Sequence, residues 1–108
     1  MLTLKDSKKG SLCSAKLTGE LNVYTAAQAR EELQARLEKH KALELDLWGI
    51  EELDTAGIQV LLWAKREARE HGRSLPFVNH SPAVIEILDL LKVTGVFGDP
   101  ILIAPSGS

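Results

Sequence analysis

One cysteine, Cys13, is all the chain has, so no disulfide can form within it and a reducing, cytoplasmic setting is expected. Charge of one sign is also missing. The formal balance is −2 and Lys8 and Lys9 are the only adjacent lysines, which argues against a nucleic-acid binder. No apolar run approaches the about 20 residues that a membrane-crossing helix needs. Met1–Gly10 is polar, with Lys5, Asp6, Lys8 and Lys9, and does not read as a signal peptide. Phosphate-cradling GxxxxGK[ST], dinucleotide GxGxxG and nucleophile-elbow GxSxG patterns are all absent, so no cofactor is expected. His40, His71 and His80 are scattered without a second ligand at metal spacing; each reads as a solvated surface residue, and no metal is expected. Cys13 reads as a small half-buried strand residue.

What is present is an ordinary globular composition, 44% hydrophobic and 26% charged over 108 residues, enough for a single domain with its own core. Leu2–Lys5 and Leu12–Leu17 read as strands joined by the turn Ser7-Lys8-Lys9-Gly10, and Gly19-Glu20-Leu21-Asn22 breaks the pattern. Thr25 is a suitable N-cap for a helix to about His40, with Ala26, Ala29, Leu33 and Leu37 in one stripe and Glu32 and Arg36 paired at i,i+4. Ala42–Trp48 alternates as a strand, and Gly49–Leu53 reads as an irregular bridge. A helix from about Thr55 to Arg69 stops at Gly72. Ser74–Val78 is a short strand near an edge because of Pro76. Ser81-Pro82 opens a third helix, with Val84, Leu88 and Leu91 inward and an end at Gly95. Ile101–Ile103 is a last short strand, and residues 105–108 a disordered tail. Strands alternating with helices predict an α/β domain over residues 1–104, with parallel pairing across the helical crossovers and helices mainly on one side of the sheet.

The corner Asp54-Thr55-Ala56-Gly57 concentrates chemistry. Asp54 is placed to cap a helix, Thr55 occupies its first turn, and Gly57 allows another surface to come close. Unsatisfied N–H groups and the positive helix end favour negative charge there, so a phosphate on Thr55 would be stabilised by them while repelling Asp54. On local spacing alone the plain cap is the commoner reading. Trp63 is a second singular residue. At about 100° per residue, Ile58, Leu61, Ala64 and Ala68 face inward and Trp63 falls nearly opposite, beside Gln59, Arg66 and Glu70. An indole on the wet face suggests contact with a partner; the alternative is that it lies across the Arg66 and Glu67 stems, or under a loop.

Five pieces, in order and spacing, resemble the STAS domain family of anti-sigma factor antagonists: Leu17-Thr18-Gly19-Glu20-Leu21, Leu45-Asp46-Leu47, Leu53-Asp54-Thr55-Ala56-Gly57, His80-Ser81-Pro82-Ala83-Val84 and Leu90–Phe97. Together they cover roughly residues 12–97. The resemblance implies the STAS fold, a small mixed sheet of four to five strands flanked by about four helices. It implies a phosphoacceptor hydroxyl directly after the aspartate, which by position is Thr55. Asp54, Asp46, Asn22 and Gly57 would line the acceptor pocket, and Gln59 and Trp63 would lie on the docking helix. Two positions depart from the family pattern: Thr55 stands where well-studied members carry serine, and Asn22 where they often carry aspartate.

The resemblance also implies a regulatory binding protein and not an enzyme. Its partner would be an anti-sigma factor that is itself a serine/threonine kinase of the histidine-kinase-like ATPase type, or a related signalling protein, bound while Thr55 is unphosphorylated. A phosphatase of the PP2C type would reset the switch, with neither nucleic-acid binding nor membrane insertion. An alternative within the same family is a STAS subunit of an ABC-type lipid transport complex, which binds the ATPase without phosphorylation.

Overall fold

The computed structural model describes residues 1–91. Four strands, β1 (Leu2–Lys9), β2 (Leu12–Leu21), β3 (Glu44–Leu53) and β4 (Phe77–Val78), form one sheet in the order β1-β2-β3-β4. Three helices are described, α1 (Ala26–Lys39), α2 (Thr55–Glu70) and α3 (Pro82–Leu91). β1 and β2 pair antiparallel, whereas β2–β3 and β3–β4 pair parallel, as short hairpin turns and helical crossovers respectively require. The expected end of the third helix at Gly95, the strand Ile101–Ile103 and the tail lie outside the described residues, as does the side chain of Leu91.

The hairpin is longer than its hydrophobic alternation suggests. Ser7–Lys9 belongs to β1, and Gly19-Glu20-Leu21 continues β2 to its end. The expected bridge Gly49–Leu53 is strand as well. Its pattern is masked because β3 slips against β2 between Lys16 and Thr18 and again between Gly19 and Glu20. Each slip moves the inward set by one residue, so Leu45 and Leu47 are followed inward by Ile50 and Leu53. Ala42 makes only an isolated bridge to Ser74, and of Ser74–Val78 only Phe77 and Val78 form strand.

Leu17, Leu21, Leu45 and Leu47 of the sheet pack with Leu33, Leu61, Val84 and Leu88 of the helices in one core. α1 buries the predicted Ala29, Leu33 and Leu37. Its Arg36 pairs with Glu32 at 3.8 Å, as the i,i+4 spacing predicts, and also donates from Nε to Asp6 Oδ1 of β1 at 2.7 Å. α2 ends in a Schellman motif: Arg73 N–H donates to Ala68 O at 2.7 Å and Gly72 N–H to Arg69 O at 3.2 Å, with Gly72 at φ 65. Ser81 caps α3, its Oγ accepting from Val84 N–H at 3.2 Å while donating to Ile50 O at 2.7 Å. His80, expected on the surface, is 1% exposed, because the bond from Ser81 to β3 draws this corner into the core.

Candidate functional site at the ends of β2 and β3

Leu21 and Leu53 are register partners and the last residues of parallel strands. The chain therefore leaves both strands at the same end of the sheet, their carboxyl ends, where α/β domains characteristically place their sites. The two exits, Asn22–Thr25 into α1 and Asp54 into α2, are tied together by Asp54. Its Oδ1 accepts from Gly57 N–H at 2.9 Å and its Oδ2 from Val23 N–H at 3.0 Å. The backbone N–H of Asp54 donates to Leu21 O at 3.3 Å. One carboxylate thus caps α2 and pins the neighbouring loop, and both its oxygens are occupied.

Thr55 is exposed, and its hydroxyl makes no hydrogen bond to another described residue. The capping is done by Asp54 alone, which leaves Thr55 Oγ1 open to a partner at the positive end of α2. Gly57 is buried, and the surface that approaches it is the chain's own: a Cβ there would lie 2.3 Å from Leu21 O and 2.6 Å from Leu53 Cδ1. It serves the site through its N–H to Asp54.

Asn22 sits in the adjoining loop, its Oδ1 accepting from Tyr24 N–H at 2.9 Å and Thr25 N–H at 3.3 Å. Thr25 is the first flanking residue of α1, but its hydroxyl does not cap the helix. It donates to Glu20 O at 2.8 Å and accepts from Asn22 N–H at 3.0 Å. The side chains of Asn22 and Thr25 are spent on closing the turn, and the residues between them project outward. Val23 is 63% and Tyr24 91% exposed. Sequence reasoning passed over both; the available signal was a pair of apolar side chains inside a polar turn.

Asp46 does not belong to this cluster. It pairs with Lys16 where Leu53 pairs with Leu21, so it lies roughly 17 Å down the sheet at about 3.3 Å per strand residue. Its oxygens are engaged there by Trp48 N–H at 2.8 Å and Asn79 Nδ2 at 3.1 Å. A small alternating motif fixed its face, but not its distance along the strand.

Trp63 is a second correction: it is 8% exposed and part of the core. A helical wheel gives α2 one covered face, but α1 packs along its flank and covers Val60 and Trp63 as well. The Arg30 guanidinium carbon of α1 lies 4.6 Å from the centroid of the Trp63 ring. Between the two helices runs an open groove of about 480 Å³, bordered by Ala26, Ala27, Arg30, Ala56, Gln59 and Trp63 among others. Gln59 is exposed on its rim. Among the described residues no cluster of three or more histidine, cysteine or acidic side chains could hold a metal, and no helix is long and apolar enough to cross a membrane.

An open hydroxyl at a capped strand-to-helix corner, on a four-stranded mixed sheet with an exposed loop beside it, defines a small α/β domain with a surface site. The chain belongs to the STAS domain family: the family model described as Mlab, STAS domain, matches residues 5–103. No curated protein sequence matches it significantly. Its fold is similar to that of an anti-sigma factor antagonist from Mycobacterium paratuberculosis, at 18% identity and a TM-score of 0.75, covering 98% of this chain and 89% of that one. It is similar also to the anti-sigma factor antagonist SpoIIAA in its unphosphorylated form, at 17% identity and a TM-score of 0.66, covering 98% of this chain and 91% of that one. The phosphorylated form of SpoIIAA, described as a Bacillus cell fate determinant, is matched at 15% identity and a TM-score of 0.68, covering 98% and 94%. At these identities the likeness is one of fold.

Proposed function

We propose that the chain is an anti-sigma factor antagonist, a binding module switched by phosphorylation of Thr55. The observation that carries this reading is the division of labour at the corner. Asp54 satisfies the helix end with both oxygens in use, and Thr55 Oγ1 is left exposed and unbonded at the first turn. A hydroxyl needed for folding would be occupied; this one is free to react. The partner is an anti-sigma factor with serine/threonine kinase activity of the histidine-kinase-like ATPase type. It docks on Val23, Tyr24, Gln59 and the groove beside them, and Asn22 shapes the loop that presents the first two.

In the transfer, Thr55 Oγ1 attacks the γ-phosphorus of ATP held by the kinase. The bond to the β-phosphate oxygen breaks, ADP leaves, and the hydroxyl proton passes to a base on the kinase. The product carries about −1.5 to −2 charges next to Asp54, and this repulsion and bulk release the partner. A phosphatase of the PP2C type hydrolyses the ester and resets the domain. Incubation with the cognate kinase and ATP, followed by mass spectrometry, tests the reading. An unmodified Thr55 under conditions in which the kinase binds would sink the switch.

A second reading has one observation in its favour. Asp46 lies far down the sheet and the Asn22 side chain is closed into its turn, so neither joins Asp54 in an acceptor pocket. Such a site suits docking without chemistry, as a STAS subunit on the ATPase of an ABC-type lipid transport complex. Co-purification separates the two, since recovery of an ABC ATPase with unmodified Thr55 favours the second.

A further inference from the structure

Arg30 is a cation without an anion. The positions that could pair with it along α1 are Ala26, Ala27, Leu33 and Gln34, none acidic, and no described residue forms a salt bridge with it. Its guanidinium rests instead on the ring of Trp63, 4.6 Å from the centroid, while Arg30 itself stays exposed, and such a contact is weak while the cation remains solvated. Among the described residues it is the one charged side chain bordering the groove, and it shares that border with Ala56, the neighbour of Thr55.

We propose that Arg30 is a two-position cation governed by the state of Thr55. It lies over Trp63 while Thr55 carries a hydroxyl and swings onto the phosphate when Thr55 is esterified, uncovering the indole. The inference rests on the reading of Thr55 as phosphoacceptor, and it assigns that site its internal counter-charge.

The geometry allows the move. Thr55, Gln59 and Trp63 fall within roughly 80° of one another around α2 at about 100° per residue. A tryptophan in a helix leans toward the N-terminus and covers the turn before its own Cα. Trp63 and Gln59 border the same groove, and Gln59 stands about 6 Å along the axis from Thr55. The energetics favour it too. A phosphate brings about −1.5 to −2 charges, and the planar guanidinium fork binds phosphate oxygens bidentately, a stronger partner than an aromatic face. Asp54 cannot supply the counter-charge, being an anion with both oxygens already engaged. Loss of Arg30 from the groove exchanges a cationic rim for a bare apolar floor, so one modification would alter both the charge and the shape of the docking surface.

Phosphothreonine placed at position 55 during translation tests this without any kinase, so failure of a kinase to modify Thr55 stays a separate result. In a Trp48→Phe background Trp63 is the sole tryptophan. Phosphorylated protein should show red-shifted emission and greater acrylamide quenching than the hydroxyl form. In Arg30→Gln the emission should already be shifted, with no further change on phosphorylation. The Nε–H NMR resonance of Arg30 in the otherwise unsubstituted chain gives the same comparison should Trp48→Phe fail to fold, and it should move on phosphorylation. Identical spectra for the two Thr55 forms, or an equal change with and without Arg30, would overturn the proposal.

Discussion

Gly57 lies so close beneath the end of β2 that a Cβ on it would stand 2.3 Å from the Leu21 carbonyl oxygen. That contact is with backbone, which cannot turn aside as a side chain could. Alanine at this position would raise helix propensity by about 0.8–1.0 kcal/mol, but overpacking typically costs about 1–3 kcal/mol and more against a rigid neighbour. The steric cost wins, so Gly57→Ala should lower the stability of the domain and shift α2 away from β2. Urea denaturation should show an earlier midpoint, and a midpoint at or above that of the parent would refute the close packing.

Asp54 joins α2 to the loop before α1, so its removal should be felt in both. Asp54→Ala loses an N-cap, a change that typically costs about 0.5–2 kcal/mol, and it frees the N–H of Val23 as well. Amide hydrogen exchange should quicken at Gly57 and at Val23 together. Quickening at Gly57 alone would mean that the carboxylate does not organise the loop.

Thr55 predicts the opposite. Its hydroxyl holds nothing in the fold, and alanine is the better helix former. Thr55→Ala should leave stability within about 0.5 kcal/mol of the parent, while abolishing phosphoryl transfer and leaving partner binding constitutive. Thr55→Glu should fold equally well and bind the partner more weakly. Melting temperatures and a pull-down on the same three proteins separate fold from function.

How far these residues were legible from sequence depended on the range of the interactions that place them. The Asp54 cap was readable because the N–H that donates to it lies three residues away, and the stripe Ala29, Leu33 and Leu37 because one helix repeats it. Register was not readable: the two slips of β3 against β2 turn Gly49–Leu53 into strand, and alternation within one segment carries no trace of its neighbour. Asp46 was misplaced for the same reason, since a motif shows which face a residue takes but not how far along the strand it lies. Val23 and Tyr24 went unnoticed because their exposure follows from bonds that close the turn around them. A wheel drawn for α2 alone could not anticipate α1, and it set Trp63 in water.

That last correction reverses an expected phenotype. A surface indole could be trimmed at little cost to folding, whereas Trp63 is 8% exposed and packed between two helices. Truncating a buried tryptophan to alanine typically costs about 3–5 kcal/mol, a large part of the about 5–15 kcal/mol that holds a domain of this size together. Trp63→Ala should therefore lower the melting temperature sharply. Trp63→Phe retains an aromatic face for Arg30 and most of the buried volume, so it should recover much of that stability. Thermal denaturation of the pair decides the matter, because an unchanged melting temperature in Trp63→Ala would place the indole back on the surface.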